Sequence, residues 1–93
     1  LAVMPSPVVA LNRAVAVGMA EGPAAGLALA DALRDEPALA HYAALPAVRG
    51  DLLSKLGRRE EAIGEFERAA ALTRNHRERA VMLARAADCA VVQ

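Results

Sequence analysis

The side chains that could carry chemistry here are few, and their spacing works against it. His41, His76 and Cys89 lie far apart with no paired ligand beside any of them, whereas a structural metal site needs several such groups converging, usually two of them close in sequence. The acidic pairs Asp35-Glu36 and Glu60-Glu61 could serve as catalytic carboxylates. Their places at a helix end and a helix start read better as solvated termini, and only Glu60-Glu61 has the placement that a helix dipole favours. Gly22-Pro23-Ala24-Ala25-Gly26 lacks the Lys-Ser/Thr of a phosphate-cradling loop, and no serine sits in a nucleophile elbow. No catalytic residue, cofactor site or metal site is assigned, and the chain is not expected to be an enzyme.

The charges exclude further classes. Arg74, Arg77 and Arg79 are broken by His76 and Glu78, so the run reads as a solvated turn between helices rather than a phosphate patch. Lys and Arg total 11 against 11 Asp and Glu, with one Tyr and one Phe to stack on bases, so no direct nucleic-acid contact is expected. The apolar stretch 14–20 is too short for a bilayer and runs into Glu21, and no basic region precedes it as in a secretory signal. No membrane association is expected. A lone Cys89 cannot form an internal disulfide; it fits a reducing cytoplasm and reads as a small packing residue.

The elements that must position these residues are helices. The 93 residues suffice for one small domain with one core. Alanine, a strong helix former that lets helices approach closely, supplies much of the apolar content. Turn signals at Pro5-Ser6-Pro7, Glu21-Gly22-Pro23, Glu36-Pro37, Leu56-Gly57-Arg58 and Arg74-Asn75-His76 divide the chain into five helices. Ser6-Pro7 is an N-cap with proline at the first helical position, and Gly22-Pro23 ends one helix and starts the next. Pro46 must sit in a first turn, which puts the third helix at about 45–56, after a looser helical turn over 38–44. No segment alternates apolar and polar residues as a strand would, so the fold is expected to be all-α.

At 100° per residue the first helix centres its apolar face on Val8, Leu11, Val15 and Met19, with Asn12 inside that face and Arg13 pointing away. Asn12 therefore needs a partner: an amide buried there without one costs about 1–3 kcal/mol, so either a neighbouring backbone group satisfies it or this face is not simply core. The fourth helix shows Ala62, Phe66, Ala69 and Thr73 on one face with Ile63 and Ala70 at its edge, and Glu65, Glu67 and Arg68 outward. The stripe of the fifth is Ala80, Leu83, Ala84, Ala87 and Val91, with Arg85 and Asp88 to one side and Met82 and Cys89 as a weaker second strip. Tyr42 is expected to pack its ring between hairpins with the hydroxyl at the surface.

Short loops force antiparallel neighbours, giving two helix hairpins and an end helix in a right-handed helical-repeat stack. A repeat of about 34 residues with tetratricopeptide spacing fits 43–76. Gly50 takes the small position, Leu53 the large one, Gly57 the turn, and Ala62, Phe66 and Ala69 the second helix. The small residues mark places where two helices cross closely. Pro46 and Arg74 depart from the pattern. The first hairpin is a degenerate copy, with Ala25, Leu29 and Ala32 at the second-helix positions. Two repeats and one helix are fewer than such stacks usually need, and a chain that opens on Leu1 reads as the C-terminal piece of something longer.

PSPVVALNRAVAV (5–17), EGPAAGLALADAL (21–33) and HYAALPAVRGDLLSKLGRREEA (41–62) together resemble the C-terminal extension of a group of bacterial extracytoplasmic-function RNA polymerase sigma factors. The family differs at Pro46 and Gly50 and matches only loosely after Asn75. The resemblance implies a tetratricopeptide-like accessory domain without catalysis or cofactor. It would modulate transcription initiation by contacting other regions of the same sigma factor, RNA polymerase or a regulator. It also implies that Asn12 ties the first helix to the backbone of an adjacent helix, including one ending at Leu1–Met4, and that Arg13 is free for a carboxylate or partner. The candidate structural or partner-contact residues are Asn12, Arg13, Tyr42, Arg49, Gly57 and Phe66. A free-standing tetratricopeptide-like adaptor is the alternative, and a helical subdomain of an enzyme a third reading. Alanine-rich faces leave a homodimer of the segment open.

Overall fold

A computed structural model describes residues 6–91. It contains α1 (Pro7–Glu21), α2 (Pro23–Asp31), α3 (Ala44–Lys55), α4 (Arg59–Leu72) and α5 (His76–Ala90), with a single 3-10 turn at Pro37–Leu39. Among the described residues there is no strand, and no helix is long and apolar enough to cross a membrane. The turn signals become the observed boundaries. Ser6 Oγ accepts a bond from the Val9 amide at 3.2 Å with Pro7 in the first turn. Gly22, at φ 107°, closes α1 and opens α2. Gly57, at φ 76°, lets its own amide reach Ser54 O and the Arg58 amide reach Leu53 O, which ends α3. Pro46 lies in the first turn of α3, where its missing N–H removes no intrahelical bond. Asn75 Oδ1 caps α5 by accepting from the Arg77 and Glu78 amides.

Consecutive helices pack against each other, and α3 also touches α1. Asp51 and Arg85, and Ser54 and Cys89, join α3 to α5. Thus α1, α3 and α5 lie side by side, with α2 and α4 behind them. The main core combines Ala14, Leu27, Ala30, Leu52, Leu53, Ala62, Phe66 and Ala86, and a second cluster gathers Leu11, Leu39 and Leu45.

Helix crossings are closest at glycines. A Cβ on Gly50 would stand 2.8 Å from the Phe66 ring, so one edge of the ring lies close against the α3 backbone. This is the close crossing expected of the small position. In the first hairpin the corresponding contact is between backbones: a Cβ on Gly26 would meet Ala14 O and Gly18 Cα, each at 2.8 Å.

Several helix faces differ from expectation. In α1 the buried side is Leu11 and Ala14, while Val8, Val15 and Met19 are exposed. The glycine crossing selects the small side of the helix and turns the bulky residues outward. In α2 the buried residues are Gly26, Leu27 and Ala30 rather than Ala25, Leu29 and Ala32. In α5 the strip expected to be weaker is the packed one: Ala86 is buried, with Met82 and Cys89 against the core, whereas Ala80, Leu83, Ala84, Ala87 and Val91 are exposed. Glu65 is largely enclosed and faces an arginine instead of pointing outward. The inner face of α4 otherwise stands as expected, with Ala62, Phe66, Ala69, Ala70 and Thr73 all buried.

Candidate functional site

Two arrangements of side chains stand out. The first is ionic. Arg49, only 6% exposed, places Nε 2.9 Å from Asp31 Oδ1 at the end of α2 and Nη1 2.7 Å from Glu65 Oε2 on α4. One planar guanidinium therefore bridges the two rear helices through α3, a use that suits its fork of fixed donors. No buried side-chain polar atom lacks a hydrogen-bond partner among the described residues. The desolvation of Arg49 is thus matched by two carboxylates rather than left open.

The second is a groove along the exposed side of α3. Its upper part, about 380 Å³, is lined by Tyr42, Ala43, Ala44 and Ala47 with Ala69, Thr73, Glu78 and Met82. Its lower part, about 410 Å³, is lined by Val15, Gly18 and Met19 of α1, by Ala44, Ala47, Val48, Asp51, Leu52 and Lys55 of α3, and by Arg85 of α5. The two parts adjoin at Ala44 and Ala47; the lower lies between α1 and α5, and the upper is bounded by α4 and α5. The wall is apolar except at its ends. At the lower end Asp51 takes Lys55 Nζ at 2.9 Å and also the Arg85 guanidinium, and Arg85 further lies over the Phe66 ring, 4.6 Å from its centroid. Partial burial would by itself raise the Asp51 carboxyl, but the hydrogen bonds and charges of Lys55 and Arg85 together hold it below the ordinary aspartate value. At the upper end Glu78 Oε2 accepts the Thr73 hydroxyl at 2.8 Å.

Several of these positions are separated by the same interval. Asp51 and Arg85 are 34 positions apart. So are Gly18 and Leu52, which touch where a Cβ on Gly18 would fall 2.9 Å from Leu52 Cδ2. Asp31 and Glu65, the two carboxylates of Arg49, have the same separation.

Comparison with known proteins adds one relative. Over 76 residues the chain is 50% identical to an uncharacterized protein of Rhizobium meliloti, an alignment covering 82% of this chain and 18% of that protein. The chain thus spans about a fifth of the length of the relative it matches. No family model matches, and no solved structure matches.

Of the residues singled out in the sequence, Arg49 and Phe66 are both buried between α3 and α4, Arg49 paired with Glu65 and Phe66 set against Gly50, and Tyr42 lines the upper part of the groove. Gly57 forms the turn between those helices. Asn12 and Arg13 are both exposed on α1, away from these groups. Asn12 makes no side-chain hydrogen bond among the described residues, and the contact expected with Leu1–Met4 lies outside them. The basic run spans the α4–α5 turn at Arg74 and the start of α5 at Arg77 and Arg79, and the Arg79 guanidinium donates to Ala70 O and Thr73 O and caps α4. Glu60 and Glu61 occupy the first turn of α4, and Glu61 pairs with Arg58 at 2.7 Å. Among the described residues no three His, Cys, Asp or Glu side chains converge. Sequence reasoning passed over Asp51, Lys55 and Arg85. Carrying the 34-residue register past residue 76 into α5 would have paired Asp51 with Arg85.

Proposed function

We propose that this chain is a tetratricopeptide-like accessory domain of an extracytoplasmic-function sigma factor, acting in the cytoplasm through protein contacts and without catalysis of its own. The observation that carries the protein-contact reading is the pair of adjoining, mostly apolar depressions that share Ala44 and Ala47 of α3. An open apolar surface of this kind suits a segment of another protein better than a small polar substrate. The tetratricopeptide-like reading is supported by the 34-position register of Asp51–Arg85, Gly18–Leu52 and Asp31–Glu65 and by Phe66 seated on Gly50. The sigma-factor reading is supported by the run PSPVVALNRAVAV and its companions at 21–33 and 41–62. Its partners are then other regions of the same sigma factor or RNA polymerase, with no nucleic-acid contact from this domain.

The test has two parts. The reading frame 5′ of Leu1 in the source DNA is expected to run into promoter-reading and polymerase-binding regions, and the chain is expected to retain those regions or core polymerase in a pull-down. A start codon immediately before Leu1, with no retention of either, makes the protein a free-standing adaptor instead.

A further inference from the structure

We propose that the outward face of α5 pairs with the same face of a second copy of this chain, the two helices antiparallel about a two-fold axis beside Leu83, with Arg77 of each copy opposite Asp88 of the other. This goes beyond the sigma-factor reading and does not depend on it.

The face is unlike a solvated one. Ala80, Leu83, Ala84 and Ala87 follow one another at spacings of three and four along α5, and all are exposed. Leu83 is 49% exposed, and Val81 and Val91 at the borders of the stripe are 49% and 59% exposed. Displaced by the 34 positions that separate Asp51 from Arg85, the same four places on α3 are Pro46, Arg49, Gly50 and Leu53, every one buried. There α4 covers the helix, with Phe66 on Gly50 and Glu65 on Arg49. On α5 the corresponding places are all apolar, and no other element covers them among the described residues. Covering them takes hydrocarbon out of water, and three alanines let a second helix axis come close.

The flanking charges select the occupant. At 100° per residue Arg77 and Asp88 lie about 20° apart around the helix, on one edge of the stripe and about three turns apart along it. Both are exposed, and neither has an ion-pair partner among the described residues. The other charges near them are engaged: Arg85 with Asp51, Arg79 with the last carbonyls of α4, and Glu78 with Thr73. Arg59, which shares a cleft with Asp88, donates to Val91 O. A second α5 laid antiparallel brings each Arg77 to the level of the other copy's Asp88, and a two-fold axis forms both pairs at once. That register puts the axis midway between positions 77 and 88, between Met82 and Leu83. Ala80, Leu83 and Ala84 of the two copies then interleave, and nearly the whole of α5 overlaps. A parallel pair would set Arg77 against Arg77 and Asp88 against Asp88. With 15 residues α5 is about 22 Å long, so a pair of such helices belongs with the small interfaces that associate transiently.

Sedimentation velocity of the full chain, over about a hundredfold range of micromolar concentration, should show monomer passing to dimer. Ala84→Glu should weaken the association about tenfold or more, while circular dichroism at low concentration stays unchanged because Ala84 is exposed. Arg77→Asp and Asp88→Arg each set like charges opposite one another, and each should weaken self-association about fivefold at low salt. Both changes agree with the dipole of α5, so neither threatens the helix. Mixed in equal amounts, these two variants should dimerise as tightly as the native chain, because every cation again meets a carboxylate. A chain that is monomeric throughout, a dimer that Ala84→Glu leaves intact, or a mixture no tighter than either variant alone overturns the proposal. A monomer whose retention of polymerase or sigma regions is lost in Ala84→Glu also overturns it, since the face then belongs to that partner and the sigma-factor reading stands. A dimer that behaves as described but retains neither leaves the pairing in place and defeats the sigma-factor assignment alone.

Discussion

The two hairpins close in different ways. Between α1 and α2 the contact is backbone on backbone, Gly26 against Gly18 and Ala14 O, and no ion pair crosses it among the described residues. Between α3 and α4 an aromatic ring fills the space above Gly50, and the Arg49 guanidinium locks the edge through Glu65. The first hairpin relies on nearness and the second on filling. The difference also directs what each hairpin leaves outside. A glycine crossing uses the narrow side of α1, so Val15 and Met19 are released to line the groove; in α4 the bulky residue itself is consumed by the core.

The largest test of this contrast is Phe66→Ala. Phe66 is fully buried, and emptying such a site costs about 3–5 kcal/mol. Urea unfolding of the full chain should show that loss, and one below about 1 kcal/mol would mean that α3 and α4 collapse together and that the second hairpin also closes by nearness.

Arg49 comes next. Arg49→Ala leaves Glu65, 17% exposed at its side chain, without its cation, while Asp31, 42% exposed, recovers water. Removing one partner of a well-buried pair costs about 3–5 kcal/mol, and the exposure of Asp31 lowers the expected loss here to about 2–3. Arg49→Met combined with Glu65→Leu should recover most of it, because apolar groups of similar volume replace such pairs with little penalty. If the double variant is no better than Arg49→Ala, the bridge is not what holds α4 to α3.

Two glycine substitutions sharpen the difference between nearness and filling. Gly26→Ala drives a methyl group into backbone atoms that cannot swing aside, and should destabilise by about 1–3 kcal/mol despite alanine's better helix propensity. Gly64, inside α4, has nothing within 4 Å of a built Cβ, so Gly64→Ala should stabilise by about 0.5–1 kcal/mol. The same change with opposite signs in the two hairpins, read by thermal and urea unfolding, is the expected outcome. Equal signs would remove the glycine crossing from the account of α1–α2.

The hairpin that fills its interior was the legible one. Phe66 and its alanines repeat at helical spacing among charges, so only one face of α4 could be buried, and Gly50 followed from the helix it had to approach. In α1 and α5 apolar residues lie on more than one side, and periodicity cannot say which side meets a neighbour; that is settled by a glycine crossing in one and by Phe66 and Ser54 in the other. The same blindness set Asn12 on a face judged by the bulk of Val8, Val15 and Met19, all of which are exposed. Glu65 was read as solvated because its cation sits 16 positions earlier, on another helix. The groove escaped notice because its walls come from three helices.

The smallest effect separates α5 from the first hairpin by pH. Asp51 joins α3 to α5 through Lys55 and Arg85, and its folded carboxyl titrates below the ordinary value despite partial burial. A depressed folded pKa contributes stability that is fully present above the unfolded value, about 4, and is lost as the pH falls through the folded value. All three side chains are partly exposed, so the contribution is expected to stay below about 1 kcal/mol. Unfolding free energies at about pH 6 and about pH 3 should then fall more in the native chain than in Asp51→Asn, the difference between the two isolating this carboxylate from every other acid that protonates over the range. The glycine crossing of α1 and α2 has no such carboxylate, and amide exchange at its core residues should follow global stability alone. An equal acid loss in Asp51→Asn would leave the α3–α5 contact to Ala86, Met82 and Cys89, and make the end helix as dependent on apolar nearness as the first hairpin is.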